Sequence, residues 1–192
     1  MAVTTDFRRY AIADGLPVLT VDGYRADFPL HRHEVFSLTL VRRGYETTLV
    51  EDRELIAPRG SISLTAPSIL HANPNRNDGS YDFTTLYLSP DFLRYLNGGK
   101  SFQASTHVTQ DARLYGALSA WVAADTPTLP ILEQCLRQLL QYSPDKHRQS
   151  RQDDADLREI LHFFEENFAR KLDLDELARR AGKSRYQFVR WF

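Results

Sequence analysis

Over the first hundred residues the apolar positions fall in short stretches rich in Val, Leu, Thr, Tyr and Phe, at 17–21, 35–42, 45–51, 61–66 and 82–88. Gly, Pro and Asp punctuate them, a pattern that predicts β-strands. No helical period intervenes, so a sandwich or barrel is expected. The turn-forming run NPNRNDGS at 73–80 is expected to be a loop, and SPDFLRYLNGGK at 89–100 a short helix closed by Asn97 and Gly98 that covers one end of the barrel. From Asp111 the period becomes helical. Leu114, Leu118, Trp121 and Val122 make one stripe, TPTLP at 126–130 breaks it, and Leu132, Cys135, Leu136, Leu139 and Leu140 make a second that Ser143 and Pro144 stop. Two amphipathic helices are too few for a core of their own, so they must pack on the barrel or on a partner. Residues 144–153 are polar and mixed in charge, as an interdomain linker is. Beyond them Leu157, Ile160, Leu161, Phe164 and Phe168 repeat at helical spacing and predict a support helix, with Asp154 or Asp156 as its cap.

The last stretch, LDLDELARRAGKSRYQFVRWF at 172–192, carries the densest local signals. Asp173 and Glu176 form a capping-box start, flanked by Leu172 and Leu177 as a hydrophobic staple. Gly182 can take the left-handed conformation that ends the helix, and Ser184 offers a second cap at once. Two helices joined so tightly cross steeply and need a small residue at the contact, which Ala178 supplies. On the second helix Phe188, Trp191 and Phe192 share an apolar face, while Tyr186 and Arg190 point opposite, with Gln187 and Val189 on the flanks. That arrangement suits insertion into a DNA major groove. Five basic residues lie between Arg179 and Phe192 (Arg179, Arg180, Lys183, Arg185 and Arg190) with no acid among them. Phosphates respond to that local excess more than to a net charge of −1.

A hydrophobic fraction of 42% with 26% charged residues is that of a soluble globular chain. No apolar run approaches the roughly 20 residues of a membrane span, and MAVTTDFRRY lacks the apolar core of a signal peptide. A cytoplasmic protein is therefore expected. The single cysteine, Cys135, excludes an internal disulfide framework and reads as a small core residue.

The segment LARRAGKSRYQFVRWF resembles the first helix-turn-helix of the AraC/XylS family of bacterial transcription regulators, whose usual pattern is LA…AG.S…L.R.F. The resemblance implies a DNA-binding domain with two such units joined by a long helix. The chain stops inside the first recognition helix, so the expectation is a truncated domain whose Phe192 and Phe163 are left exposed. Residues 28–88 resemble the paired motifs of the cupin barrel, a double-stranded β-helix. His31, His33 and Gly44 match the first motif, with Ser37 where glutamate usually stands. Pro58, Gly60, Pro67, His71 and Asn75 are close to the second. The AraC family commonly joins such a barrel to such a reader, and in it a helical pair forms an antiparallel dimer contact.

His31 and His33, two apart on an extended strand, share a face. With His71 they bring three imidazoles together, enough for a Zn or Fe site if a carboxylate or water completed it. The usual carboxylate is missing and Glu34 has the wrong parity, so no metal or other cofactor is assigned. The preferred reading places a small effector at the barrel mouth, with His31, His33, Ser37 and His71 as polar groups among apolar walls. The alternative for the histidines is plain hydrogen bonding at a polar strand end. Arg32 can clamp an anionic effector or sit in water.

The sequence thus predicts a mixed fold. A cupin-like effector barrel occupies 1–110, a helical pair 111–143, a linker 144–153, and a truncated all-α helix-turn-helix segment 154–192. The expected function is a ligand-responsive, sequence-specific DNA-binding transcription regulator that is not an enzyme, acts as a homodimer, and meets no membrane. Lys183, Arg185, Tyr186, Gln187, Val189 and Arg190 are its expected DNA contacts. Of these, Arg190 is assigned to a base, Tyr186 to a thymine methyl or a phosphate, and Arg185 and Lys183 to phosphates. The alternative from another class is a metal-dependent cupin enzyme, a dioxygenase or isomerase.

Overall fold

Ten strands form two antiparallel sheets in the computed structural model. It describes residues 2–13, 15–50, 53–102, 106–142, 159–160, 162–163, 167, 172–185 and 188–189. The strands are β1 (Thr4–Tyr10), β2 (Leu16–Tyr24), β3 (Phe28–His31), β4 (Phe36–Arg43), β5 (Tyr45–Val50), β6 (Arg53–Pro58), β7 (Ile62–Thr65), β8 (His71–Asn73), β9 (Tyr81–Leu88) and β10 (His107–Thr109). Six of them make one sheet in the order β1-β2-β9-β4-β7-β10, and four make the other as β3-β8-β5-β6. The chain passes between sheets at Gly44. Its φ of +71° suits glycine, and a Cβ there would sit 2.7 Å from Asn77 Oδ1 and 2.9 Å from the Tyr81 Cβ. Asn77 holds that corner from the loop before β9: its Oδ1 accepts from the Tyr45 amide at 3.0 Å, and its Nδ2 donates to the Tyr45 carbonyl at 2.8 Å.

Helix α1 (Pro90–Leu96) lies between β9 and β10, and α2 (Ala112–Ala123) and α3 (Leu129–Tyr142) follow β10. The starts of α1 and α2 have a chemical cause. Ser89 caps α1 by accepting from the Phe92 amide, and Asp111 caps α2 by accepting from the amides of Arg113 and Leu114. The apolar stripes of α1, α2 and α3 join Phe36, Leu38, Leu40, Leu86 and Leu88 in one continuous core. Of the two ways open to the helical pair, packing on its own barrel is the observed one. The Tyr115 hydroxyl donates to the Val41 carbonyl at 3.0 Å and ties α2 to β4. Cys135 lies in the same core, where burial pushes its thiol up and keeps it protonated.

The chain divides into two compact units, 1–145 and 146–192. In the second, the helix α4 (Leu174–Arg180) begins at Asp173, whose carboxylate accepts from the Asp175 amide at 3.1 Å. It ends in a Schellman turn: the Lys183 amide donates to the Ala178 carbonyl at 2.9 Å, the Gly182 amide to the Arg179 carbonyl at 3.1 Å, and Gly182 has a φ of +62°. A helical turn restarts at once, with the Phe188 amide donating to the Ser184 carbonyl at 2.8 Å. Ile160, Phe163, Leu177, Ala178, Ala181 and Phe188 form the core of this unit, and Leu172 and Leu174 pack against it. Phe163 is buried, against the expectation of exposure, with the Arg180 guanidinium 3.8 Å above its ring. The linker expected at 144–153, most of the support helix, and Trp191 and Phe192 lie outside the described residues.

Candidate functional site

Residues directly opposite in an antiparallel pair put their side chains on one face, and so do alternate residues along a strand. In the large sheet Ser37 lies opposite Thr65 and Tyr87, and Thr39 opposite Ser63 and Thr85. These side chains share the face turned away from the helices, because Phe36, Leu38 and Leu40 occupy the other. In the small sheet His71 lies opposite both His31 and Val50, which puts Glu46 and Thr48 on their face too. Asn73 joins them, its Nδ2 donating to Thr48 Oγ1 at 2.9 Å. A hydrogen bond from the Ser63 hydroxyl to the Glu46 carboxyl links the two sets, so both faces bound one lumen.

That lumen is polar, which corrects the expected apolar walls. Ser37, Thr39, Glu46, Ser63, Thr65, His71 and Thr85 are all buried along it. The reason is the helical layer. In an uncovered barrel the apolar face of each strand turns inward, whereas here α1 to α3 take the apolar face of β4, β7 and β9 and leave the hydroxyls inside. Two lumen atoms, Ser37 Oγ and Glu46 Oε2, are buried with no hydrogen-bond partner among the described residues, which marks them as groups suited to a bound molecule. Glu46 escaped the sequence reading. Burial pushes its carboxyl up to about 7, outweighing the Ser63 hydrogen bond that pulls it down.

The structure brings the three predicted histidines together. Ring centroids are 4.3 Å apart for His31 and His71, 4.8 Å for His31 and His33, and 5.3 Å for His33 and His71. Their ligand-capable nitrogens all lie within 4.8 Å of one another. Backbone carbonyls orient two of the rings: His31 Nδ1 lies 2.7 Å from the Pro29 carbonyl, and His71 Nδ1 lies 2.8 Å from the Ile69 carbonyl. A carbonyl only accepts, so each Nδ1 carries the proton and each Nε2 of the neutral ring keeps a lone pair. Burial, and then the neighbouring rings, hold His33 below the usual imidazole range. His71 is also held low, chiefly by burial, against the pull of the Ile69 carbonyl. The His33 carbonyl accepts from the Ser68 amide at 2.7 Å, and Ser68 has a left-handed φ of +61°, so a strained residue pins the second-motif loop to the first.

Other predicted positions do less. Arg32 and Glu34 are exposed. Asn75 organises its loop, donating from Nδ2 to the carbonyls of Arg25 and Gly79. In the second unit Val189 is 60% exposed, Arg185 is exposed and 3.8 Å from Asp175, and Lys183 is half-buried. Tyr186, Gln187 and Arg190 lie outside the described residues.

Two antiparallel sheets around a polar lumen, with clustered histidines and a helical cover on the large sheet, define a cupin-like barrel. The chain belongs to the AraC-like ligand binding domain family, whose sequence profile matches residues 18–162. It is similar to YbfI of Bacillus subtilis strain 168, described as an uncharacterized HTH-type transcriptional regulator, with 22% identity over 197 residues covering 92% of this chain and 70% of that protein. Among solved structures, apo ToxT of Vibrio cholerae strain SCE256 matches with a TM-score of 0.51 at 9% identity, over 96% of this chain and 72% of that one. The AraC-like transcriptional activator CuxR matches with a TM-score of 0.43 at 14% identity, over 98% and 79%. Among the described residues no helix is long and apolar enough to cross a membrane.

Proposed function

We propose that this chain is a ligand-responsive transcription regulator. A small effector binds in the barrel lumen on His31, His33, Ser37 and His71, with Glu46 as a further polar wall, and the segment from Ser184 contacts DNA. The observation that carries this reading is one chain joining a polar lumen, whose buried Ser37 and Glu46 oxygens lack a partner among the described residues, to a capped helix and tight turn in a basic segment. Family membership and the similarity to YbfI support it over a metal-dependent cupin enzyme. Arg190 reads a base, Tyr186 contacts a thymine methyl or a phosphate, Gln187 and Val189 flank them, and Lys183 and Arg185 bind phosphates. The protein acts as a homodimer. Its contact uses surface outside the stripe that α3 has buried against the barrel, such as the neighbourhood of Ile131, which is 51% exposed.

The test is selection of duplexes from a random-sequence pool with the full-length protein, followed by anisotropy titration of the enriched sequence at several salt concentrations. A specific sequence is expected to emerge. Arg185→Ala should weaken binding about equally on all sequences and reduce the salt slope by about 1, while Arg190→Ala should cost about 1–3 kcal/mol at one base position. A pool that stays random, or Arg185→Ala binding like the parent at every salt concentration, would overturn the assignment of this segment to DNA.

A further inference from the structure

We propose that β1 is the contact between two copies of this chain. The free edges of two β1 strands pair antiparallel about a two-fold axis through Phe7, joining the large sheets of both copies into one. β1 stands at the end of the strand order and pairs with β2 alone, in an unbroken register from Thr4 opposite Asp22 to Tyr10 opposite Leu16. Every second residue of such a strand turns its N–H and C=O outward, where no strand takes them. Sheet edges are ordinarily blunted by brevity, a proline, a bulge or a covering loop. β1 has seven residues, no proline and no bulge against β2, and six of the seven are exposed. Phe7, at its centre, is a large apolar side chain left 59% exposed.

Backbone parity and charge fix the register. When two copies meet by the same edge, the outward N–H and C=O groups belong to residues of one parity, so the axis must pass through a residue. An axis through Asp6 sets two carboxylates opposite each other, and one through Arg8 or Arg9 sets two guanidiniums opposite each other, which opposes pairing. An axis through Thr4, Thr5 or Tyr10 leaves at most three residues of each strand paired. Through Phe7 all seven pair. Phe7 then meets the partner's Phe7 on one face, while on the other Asp6 meets the partner's Arg8 and Arg8 the partner's Asp6. Within one copy these two already touch, Arg8 Nε donating to Asp6 Oδ2 at 2.8 Å with both side chains more than half exposed. Pairing closes the two ion pairs into a ring of four alternating charges. This inference rests on the homodimer reading and narrows the surface outside the α3 stripe to β1, with the neighbourhood of Ile131 as the control.

Sedimentation equilibrium of the full-length protein over a range of concentrations should show a reversible equilibrium between monomer and dimer. Asp6→Arg turns both cross-strand attractions into repulsions, and Arg8→Asp does the same with the signs reversed. Each should weaken the dimer by about 10-fold or more, while circular dichroism shows an unchanged fold, because both positions are exposed. Mixing the two variants should restore association to about the parent affinity, since one strand is then basic at both positions and the other acidic. The double variant Asp6→Arg/Arg8→Asp should pair with itself for the same reason, and Ile131→Arg should leave the parent dimer unchanged. A dimer that either single reversal leaves as tight as the parent, or two weakened variants that stay apart when mixed, overturns β1 as the contact and leaves the homodimer standing. A monomer at every concentration overturns both.

Discussion

Glu46 is enclosed by the lumen, held by the Ser63 hydroxyl, with burial pushing its carboxyl from 4.5 up to about 7. Between those values the folded chain holds a proton that the unfolded chain has lost. By linkage, stability therefore falls as pH rises through that window and is flat above it, by up to roughly 3 kcal/mol at about 1.36 kcal/mol per pKa unit. His33 and His71, held below 6.5, act with the opposite sign: their contribution is present above 6.5 and is lost as pH falls. The difference between the parent and Glu46→Gln isolates the carboxyl. Urea midpoints at pH 5 and pH 8 should show Glu46→Gln gaining stability relative to the parent at the higher pH. An equal difference at the two pH values would mean that Glu46 titrates as in water.

At the level of elements, the helical layer determines what the barrel interior becomes. Leu132 and Leu136 on α3 are fully buried against the barrel core. Leu136→Ala should destabilise the first unit by about 2–5 kcal/mol, read as a shift in the chemical midpoint with an unchanged slope; a loss under about 0.5 kcal/mol would mean that α3 is not part of that core. The stripes of α2 and α3 were legible in the sequence because a helical period repeats over three turns. Strands β4, β5, β7 and β9 were legible for their apolar runs. Strand β1 was not: TTDFRRY is an edge strand exposed along almost its whole length, with no buried face to leave an alternation. Strands β3, β8 and β10 have three or four residues each, too few for a period. The same physics explains the site. His31, His33 and His71 stood out by residue type and motif spacing. Glu46 looked like an ordinary polar strand residue, because only the pairing of β5 with β8 and the crossing to Ser63 reveal which face it is on.

For the whole molecule, a net charge of −1 hides an uneven distribution, since the basic residues of 179–190 stand without an acid among them. Within the second unit Arg180 stacks on Phe163 and approaches Glu176, and Arg185 approaches Asp175, so part of that charge already has partners. Regulation requires that the effector bind the DNA-competent and DNA-incompetent arrangements with different affinity, because equal affinity shifts nothing. The most direct test of the account is the affinity of the full-length protein for its selected duplex, measured by anisotropy with and without Zn2+, neutral polyols and small carboxylates, in the parent and in His71→Ala. The account predicts that at least one of these classes shifts the DNA affinity of the parent by about 5- to 150-fold and leaves His71→Ala, still bound to the duplex, unchanged. An equal shift in both proteins, or a duplex bound with the same affinity under every addition, would contradict it.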